Sequence, residues 1–389
     1  MFYLGIDIGK NTHVASLVDD KKNVIFKAFS FSNSIDGAES LILKLEAFKN
    51  ELEVGMEATG HYWLSLYSYL VEKNFTVRVI NPIQTDGWRQ GIEIRKRKTD
   101  IIDSLLIADL LRYGDFVETS LSNEDYLSLR NLSRFRSYLI SSIGDLKRKT
   151  IALLDQVFPE YASSFSNIFG KTSKEILSNF STPSDFEDIN SDDLSTFLES
   201  VSRKNYASKK IDEISKKASS SFGINFCLDS FSLQIKMLIE QISFIQNQVL
   251  DVENEIEVLL EKLNSPITTI PGIGSVNAAT ILGEIGDIKR FSNPSKLVAY
   301  AGLDASVSQS GEYESTYNHM SKRGSPYLRR ALFQSALRAE FCDPVFSAYY
   351  QKKITEGKHH LVATNAVARK LCHTIFAVLT KNEHYQVQS

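Results

Sequence analysis

The first eighty residues alternate apolar runs and polar breaks in an order that few folds accommodate. Strand-like runs lie at Tyr3 to Ile8, His13 to Val18, Asn23 to Phe29, Glu53 to Met56 and Thr76 to Ile80. Helical spacing occupies Asp36 to Phe48 and Trp63 to Glu72. Three strands come in succession, followed by helix, strand, helix and strand.

This order is that of an α/β ribonuclease-H-like (RuvC-like) domain. In such a sheet, acids at the ends of neighbouring strands gather with those on a helix laid across them. Asp7 ends the run Phe2-Tyr3-Leu4-Gly5-Ile6-Asp7, and Glu57 follows Val54-Gly55-Met56. Asp100 and Asp103 open the helical pattern Ile101 to Tyr113, with Thr99 as its N-cap, and their spacing puts them on one face. Four carboxylates in this arrangement suit two Mg²⁺ (or Mn²⁺) ions about 4 Å apart, the device that drives phosphodiester cleavage and transfer. Singly, each acid has a plainer reading, as a helix N-terminal charge or a turn residue. Gly5-Ile6-Asp7-Ile8-Gly9 also suits the phosphate hairpin of actin-like ATPases, but no later glycine-rich adenosine segment accompanies it.

The chain has 389 residues, 43% hydrophobic and 23% charged, with a net charge of −3. That is ordinary globular composition with room for two or three domains. A nucleic-acid surface in such a chain has to be local. Cys227, Cys342 and Cys372 are too few and scattered for a disulfide framework or a zinc site, which points to a reduced, cytoplasmic protein. The opening residues lack a basic n-region, and no apolar run is long enough to span a bilayer.

Apolar residues at helical spacing predict long helices over Glu124 to Phe158 and Phe231 to Leu263, separated by a Ser-rich, acidic stretch of short helices and loops. The two long helices can pair as a coiled-coil-like stalk, within one chain or between chains. Three domains follow: 1–120, carrying the acids; 121–265, the stalk and its insert; and 266–389, mainly helical with a loop-rich centre.

In the last part, Ile270-Pro271-Gly272-Ile273-Gly274-Ser275 has the form of a helix-hairpin-helix turn. Gly272 and Gly274 there would present backbone N–H groups to a nucleic-acid phosphate. Lys322, Arg323, Arg329 and Arg330 form a second basic patch, and Arg95-Lys96-Arg97-Lys98 stands directly before Asp100. Arg89, Arg130, Arg134 and Arg136 add further positive charge.

The pieces Gly5-Ile6-Asp7-Ile8-Gly9-Lys10, Glu57-Ala58-Thr59-Gly60, Lys98-Thr99-Asp100 with Asp103, Pro271-Gly272-Ile273-Gly274, Gly302-Leu303, Ser310-Gly311 and Ser321-Lys322-Arg323-Gly324 occur in a distinctive order. With them the chain resembles the insertion-sequence transposases that join an N-terminal RuvC-like DEDD domain to a C-terminal serine transposase domain, some known as bridge-RNA-guided recombinases. The resemblance implies a composite active site. Asp7, Glu57, Asp100 and Asp103 bind Mg²⁺, and Ser310 is the nucleophile that links covalently to DNA. Ala305 stands where the family commonly has Pro, and Ser308 is the alternative nucleophile. The implied partners are DNA at the element ends and target, a structured guide RNA, and further copies of the chain in a homodimer or tetramer. The implied setting is the cytoplasm, on nucleoid DNA. Two other functions fit the same residues: a RuvC-like junction resolvase in which water attacks, and a non-catalytic nucleic-acid-binding scaffold.

Overall fold

The computed structural model describes residues 1–58, 60–92, 99–116, 123–187, 189, 191–201, 204–305, 309–310, 313–314 and 319–387, with backbone alone at 83, 92, 191–193, 309–310 and 313–314. The chain divides into two compact units, Met1–Leu121 and Ser122–Ser389.

The first unit contains β1 (Phe2–Asp7), β2 (Thr12–Asp19), β3 (Val24–Ser32), α1 (Ile35–Leu45), β4 (Leu52–Glu57), α2 (Trp63–Glu72), β5 (Thr76–Ile80), α3 (Pro82–Ile92) and α4 (Asp100–Tyr113). The sheet order is β3-β2-β1-β4-β5. β1, β2 and β3 pair antiparallel, whereas β4 lies parallel to both β1 and β5. All five expected strands are present, with ends shifted by up to three residues. The expected helix after β3 stops at Leu45 and tightens into a 3₁₀ turn over Glu46–Glu51. α3 falls where the sequence reading placed no element.

Alternation along the strands buries Leu4, Ile6, Val54 and Met56 on one face, against Leu41 and Leu45 of α1 and Leu66 and Leu70 of α2. The other face carries α4. It approaches so closely that a Cβ on Gly5 would lie 2.0 Å from the Ser104 carbonyl oxygen, and one on Gly55 would lie 3.1 Å from Leu111 Cδ2. The Thr99 hydroxyl accepts from the Ile102 amide to start α4, and Gly114, at φ 81°, ends it.

The second unit is helical: α5 (Glu124–Val157), α6 (Lys171–Asn179), α7 (Pro183–Glu187), α8 (Ser191–Ser200), α9 (Lys204–Ala218), α10 (Leu228–Leu263), α11 (Ser275–Ile285), α12 (Pro294–Tyr300), the short strands β6 (Gln309–Ser310) and β7 (Tyr313–Glu314), α13 (Pro326–Cys342), α14 (Pro344–Thr355) and α15 (His360–Lys381). The long helices α5 and α10 pair within the chain through Leu139, Ile143, Ile242 and Val249. At one end their residues Leu129 and Ile256 join the core built by α11, α13 and α15. At the other, Leu154, Val157, Ile235 and Ile239 join a second core with the short helices of the Ser-rich insert. Among the described residues, no helix is long and apolar enough to cross a membrane.

Candidate active site

β1 and β4 run side by side with Ile6 opposite Met56, so Asp7 and Glu57 terminate adjacent parallel strands. Gly5 and Gly55 face α4. The period of two therefore turns Asp7 and Glu57 to that same face. Both are half-buried. Asp100 is exposed at the start of α4 and shares a surface recess with Val14, the residue opposite Asp7 in the β1–β2 pair. Asp103, one turn further along, is only 6% exposed.

α3 supplies partners for two of these acids. Thr85 Oγ1 lies 2.7 Å from Glu57 Oε2 and 2.9 Å from the Pro82 carbonyl oxygen. Arg89 Nη2 donates to Asp103 Oδ1 at 2.9 Å, and Nη1 to Asp86 Oδ1 at 3.4 Å. Thr85 and Arg89 share a helix face at spacing i, i+4. Sequence reasoning counted Arg89 only as basic charge and did not single out Thr85. Asn81-Pro82, an N-cap type followed by the favoured first residue of a helix, is the signal that marks α3.

The donor set is all carboxylate oxygen, which suits a hard divalent cation, and Asp103 already holds a cationic partner. Among the described residues, however, no three acidic, histidine or cysteine side chains meet as a closed metal-binding group. The basic run Arg95, Lys96, Arg97 and Lys98 lies outside the described residues.

In the second unit, Gly302, at φ 67°, and Gly324 pack back to back. A Cβ on Gly324 would fall 1.7 Å from the Tyr300 carbonyl oxygen. Arg329 Nη1 donates into this turn, to the carbonyls of Ala301 at 3.2 Å and Gly324 at 3.4 Å. Arg329 is thus directed at its own backbone, whereas Lys322, Arg323 and Arg330 are exposed. Ser321 Oγ hydrogen-bonds Asp304 Oδ1, and Ala305 forms an antiparallel bridge with Met320. Ser310 pairs with Tyr313 through the backbone. Its side chain, like the whole of Ser308, lies outside the described residues.

The hairpin before α11 needs its first glycine. Gly272 has φ 89°, and a Cβ there would come within 2.5 Å of the Ser335 carbonyl oxygen. Gly274 is the exposed N-cap of α11, with no side chain capping the helix. Three arginines of α5 are engaged internally. Arg130 donates to the carbonyls of Gly283 and Glu284, Arg134 grips the Glu284 carboxylate, and Arg136 pairs with Glu253.

Residues 4–159 match the family model described as the transposase DEDD_Tnp_IS110, which makes the sheet-bearing unit the ribonuclease-H-like domain of a transposase. Residues 264–351 match the model described as "Transposase IS116/IS110/IS902 family". The chain belongs to the IS110/IS116 family of transposases, enzymes that cut and rejoin DNA. It is 24% identical over 387 residues to the pilin gene-inverting protein of Moraxella bovis, covering 98% of this chain and 97% of that one. It is 26% identical over 387 residues to an uncharacterized protein of insertion element IS116 from Streptomyces clavuligerus, covering 97% and 94%. A segment of 159 residues is 30% identical to an uncharacterized protein of insertion element IS110 from Streptomyces coelicolor, covering 40% and 39%.

Proposed function

We propose that this transposase excises and inserts a mobile DNA element at sites chosen by a structured guide RNA, with Ser310 as nucleophile and a divalent metal held by Asp7, Glu57, Asp100 and Asp103. The observation that carries the metal assignment is the side-by-side termination of β1 and β4 in Asp7 and Glu57, on the face where α4 brings its two acids. The serine, the RNA and the oligomer come with the family resemblance. On this reading residues 1–120 are the metal-binding part, 121–265 the helical stalk through which copies associate as a homodimer or tetramer, and 266–389 the part that presents Ser310 to DNA.

In cleavage, Ser310 Oγ attacks a backbone phosphorus and forms a serine–phosphate ester. The bond from phosphorus to one deoxyribose oxygen breaks, and that oxygen leaves with the proton that Ser310 gives up. In rejoining, a deoxyribose hydroxyl attacks the same phosphorus and Ser310 recovers its proton. Mg²⁺ or Mn²⁺, when bound, supplies positive charge that stabilises this phosphoryl transfer. A serine hydroxyl is weakly nucleophilic at its ordinary pKa and depends on such help. Within the chain, Thr85 orients the Glu57 carboxylate and Arg89 that of Asp103.

The test is strand exchange between element ends and target, with denaturing-gel trapping of protein–DNA adducts. Ser310→Ala is expected to abolish adduct and exchange together, and Asp7→Ala to abolish exchange. Exchange that persists in Ser310→Ala, with no adduct depending on Ser310, would remove the serine from the mechanism.

A further inference from the structure

Helix α5 turns one face inward, where Leu129, Leu139, Ile143 and Leu154 are buried. Its outward face carries Phe135 and Tyr138, which are 47% and 65% exposed. Their i, i+3 spacing sets the two rings side by side. The centroids lie 6.1 Å apart and the ring planes 20° apart, an offset stack with its outer surfaces open to solvent.

The surroundings decide what such a pair can meet. A helix of a second copy packed along this face would need apolar residues continuing the three-four spacing. Those positions are Asn131, Ser142, Asp145 and Lys149, so the apolar surface stops at the two rings. What continues is positive charge and a further aromatic. Ser137, next to Tyr138, lines a cavity together with Tyr327 and Arg330 of α13. The Arg134 guanidinium lies over the Tyr327 ring, 5.0 Å from its centroid. Arg330 and Lys149 are exposed on either side of the pair. Of the acids close by, Asp145 is paired with Arg148 and Glu253 with Arg136. Open aromatic faces interleaved with cations suit a nucleic-acid strand whose bases are free to stack.

We infer that Phe135 and Tyr138 form a stacking platform for unpaired bases of a DNA strand. A base inside a duplex already stacks on its neighbours and shows only its edges. An unpaired base has a free π-face, which an exposed ring takes up whatever the sequence. A guide that pairs with DNA, and an exchange of DNA strands, both require bases to leave their partners. The inference rests on the reading of the chain as a DNA recombinase and adds a place on α5 where a separated strand is held.

The test is fluorescence anisotropy of the full chain, in chelator and across a salt series, on a labelled DNA strand, on the duplex of the same sequence and on the same strand as RNA. Tyr138→Ala and Phe135→Ala are each expected to weaken binding of the DNA strand about tenfold. Duplex affinity and the slope of log affinity against log salt should stay as in wild type, because a stack releases no counterion. Both side chains are exposed, so the melting temperature should hold. Tyr138→Trp is expected to keep the affinity and to lose indole emission when the strand binds, beyond any change from Trp63 and Trp88 in wild type. Wild-type affinity for the strand in both alanine variants would overturn the platform, as would equal losses on strand and duplex. A loss confined to RNA would overturn the assignment to DNA. Alanine variants that dissociated into smaller assemblies in sedimentation would give this face to a second copy and overturn the platform as well. Wild-type protein that bound neither form of DNA would overturn the recombinase reading with it.

Discussion

The Arg89 guanidinium and the buried Asp103 carboxylate form an ion pair at 2.9 Å that joins α3 to the first turn of α4. Asp103 has a further interaction besides this one. A buried carboxylate that loses its cationic partner commonly costs about 3–5 kcal/mol, and less where another contact remains. Arg89→Ala is therefore expected to destabilise the protein by about 2 kcal/mol in urea unfolding. On the proposed function, Mg²⁺ or Mn²⁺ recovers part of that loss, because the ion replaces the missing positive charge. A deficit that divalent ions leave untouched would count against Asp103 as a ligand.

The contact between β1 and α4 predicts a second outcome. A methyl group on Gly5 would overlap the backbone of Ser104, which cannot swing aside as a side chain can. Gly5→Ala is expected to cost about 3 kcal/mol, the upper range of core overpacking, and to lower the melting temperature accordingly. Gly87, with nothing within 4 Å of its Cβ position, serves as the tolerant control.

His13 gives the chain a pH dependence of known sign. The residue is 1% exposed and lies edge-on to Phe31. Burial holds its pKa below the ordinary 6.5, with the Asn33 side chain acting in the opposite direction. The unfolded chain therefore takes up this proton at higher pH than the folded one. Stability is full above about pH 6.5 and falls as the pH drops from there toward the folded-state pKa. Melting temperatures across this range should decline on acidification, and His13→Phe should flatten the decline.

In the second unit, Arg134 Nε and Nη2 meet both oxygens of Glu284, at 2.7 and 3.0 Å. The glutamate is almost wholly buried, so Arg134→Met should cost about 3 kcal/mol. Adding Glu284→Gln should restore part of it. Equal loss in the single and double variants would show that packing, and not charge, makes the contact.

Much of this was legible in the sequence where periodicity is strong. The five strands, α4 and the two long helices follow from the spacing of residues such as Leu4, Ile6, Val54 and Ile242. α3 escaped because Pro82 to Ile92 is polar, with Gly87 and Gly91 inside it, and no apolar stripe announces it. Yet α3 provides the partners of Glu57 and Asp103. The arginines of α5 read as a basic surface because sequence shows charge but not the carbonyls and carboxylates folded against it. Arg329 misleads for the same reason, since its acceptors at Ala301 and Gly324 are backbone atoms.

Gly5 and Gly55 stand opposite one another on adjacent strands, and above both runs α4. With no side chain between β1 and that helix at Gly5, main-chain atoms set how far Asp100 and Asp103 stand from Asp7. Exchanges of neighbouring core residues can alter stability while leaving that separation almost untouched. The spacing of these acids is a property of the peptide scaffold more than of the side chains packed around it.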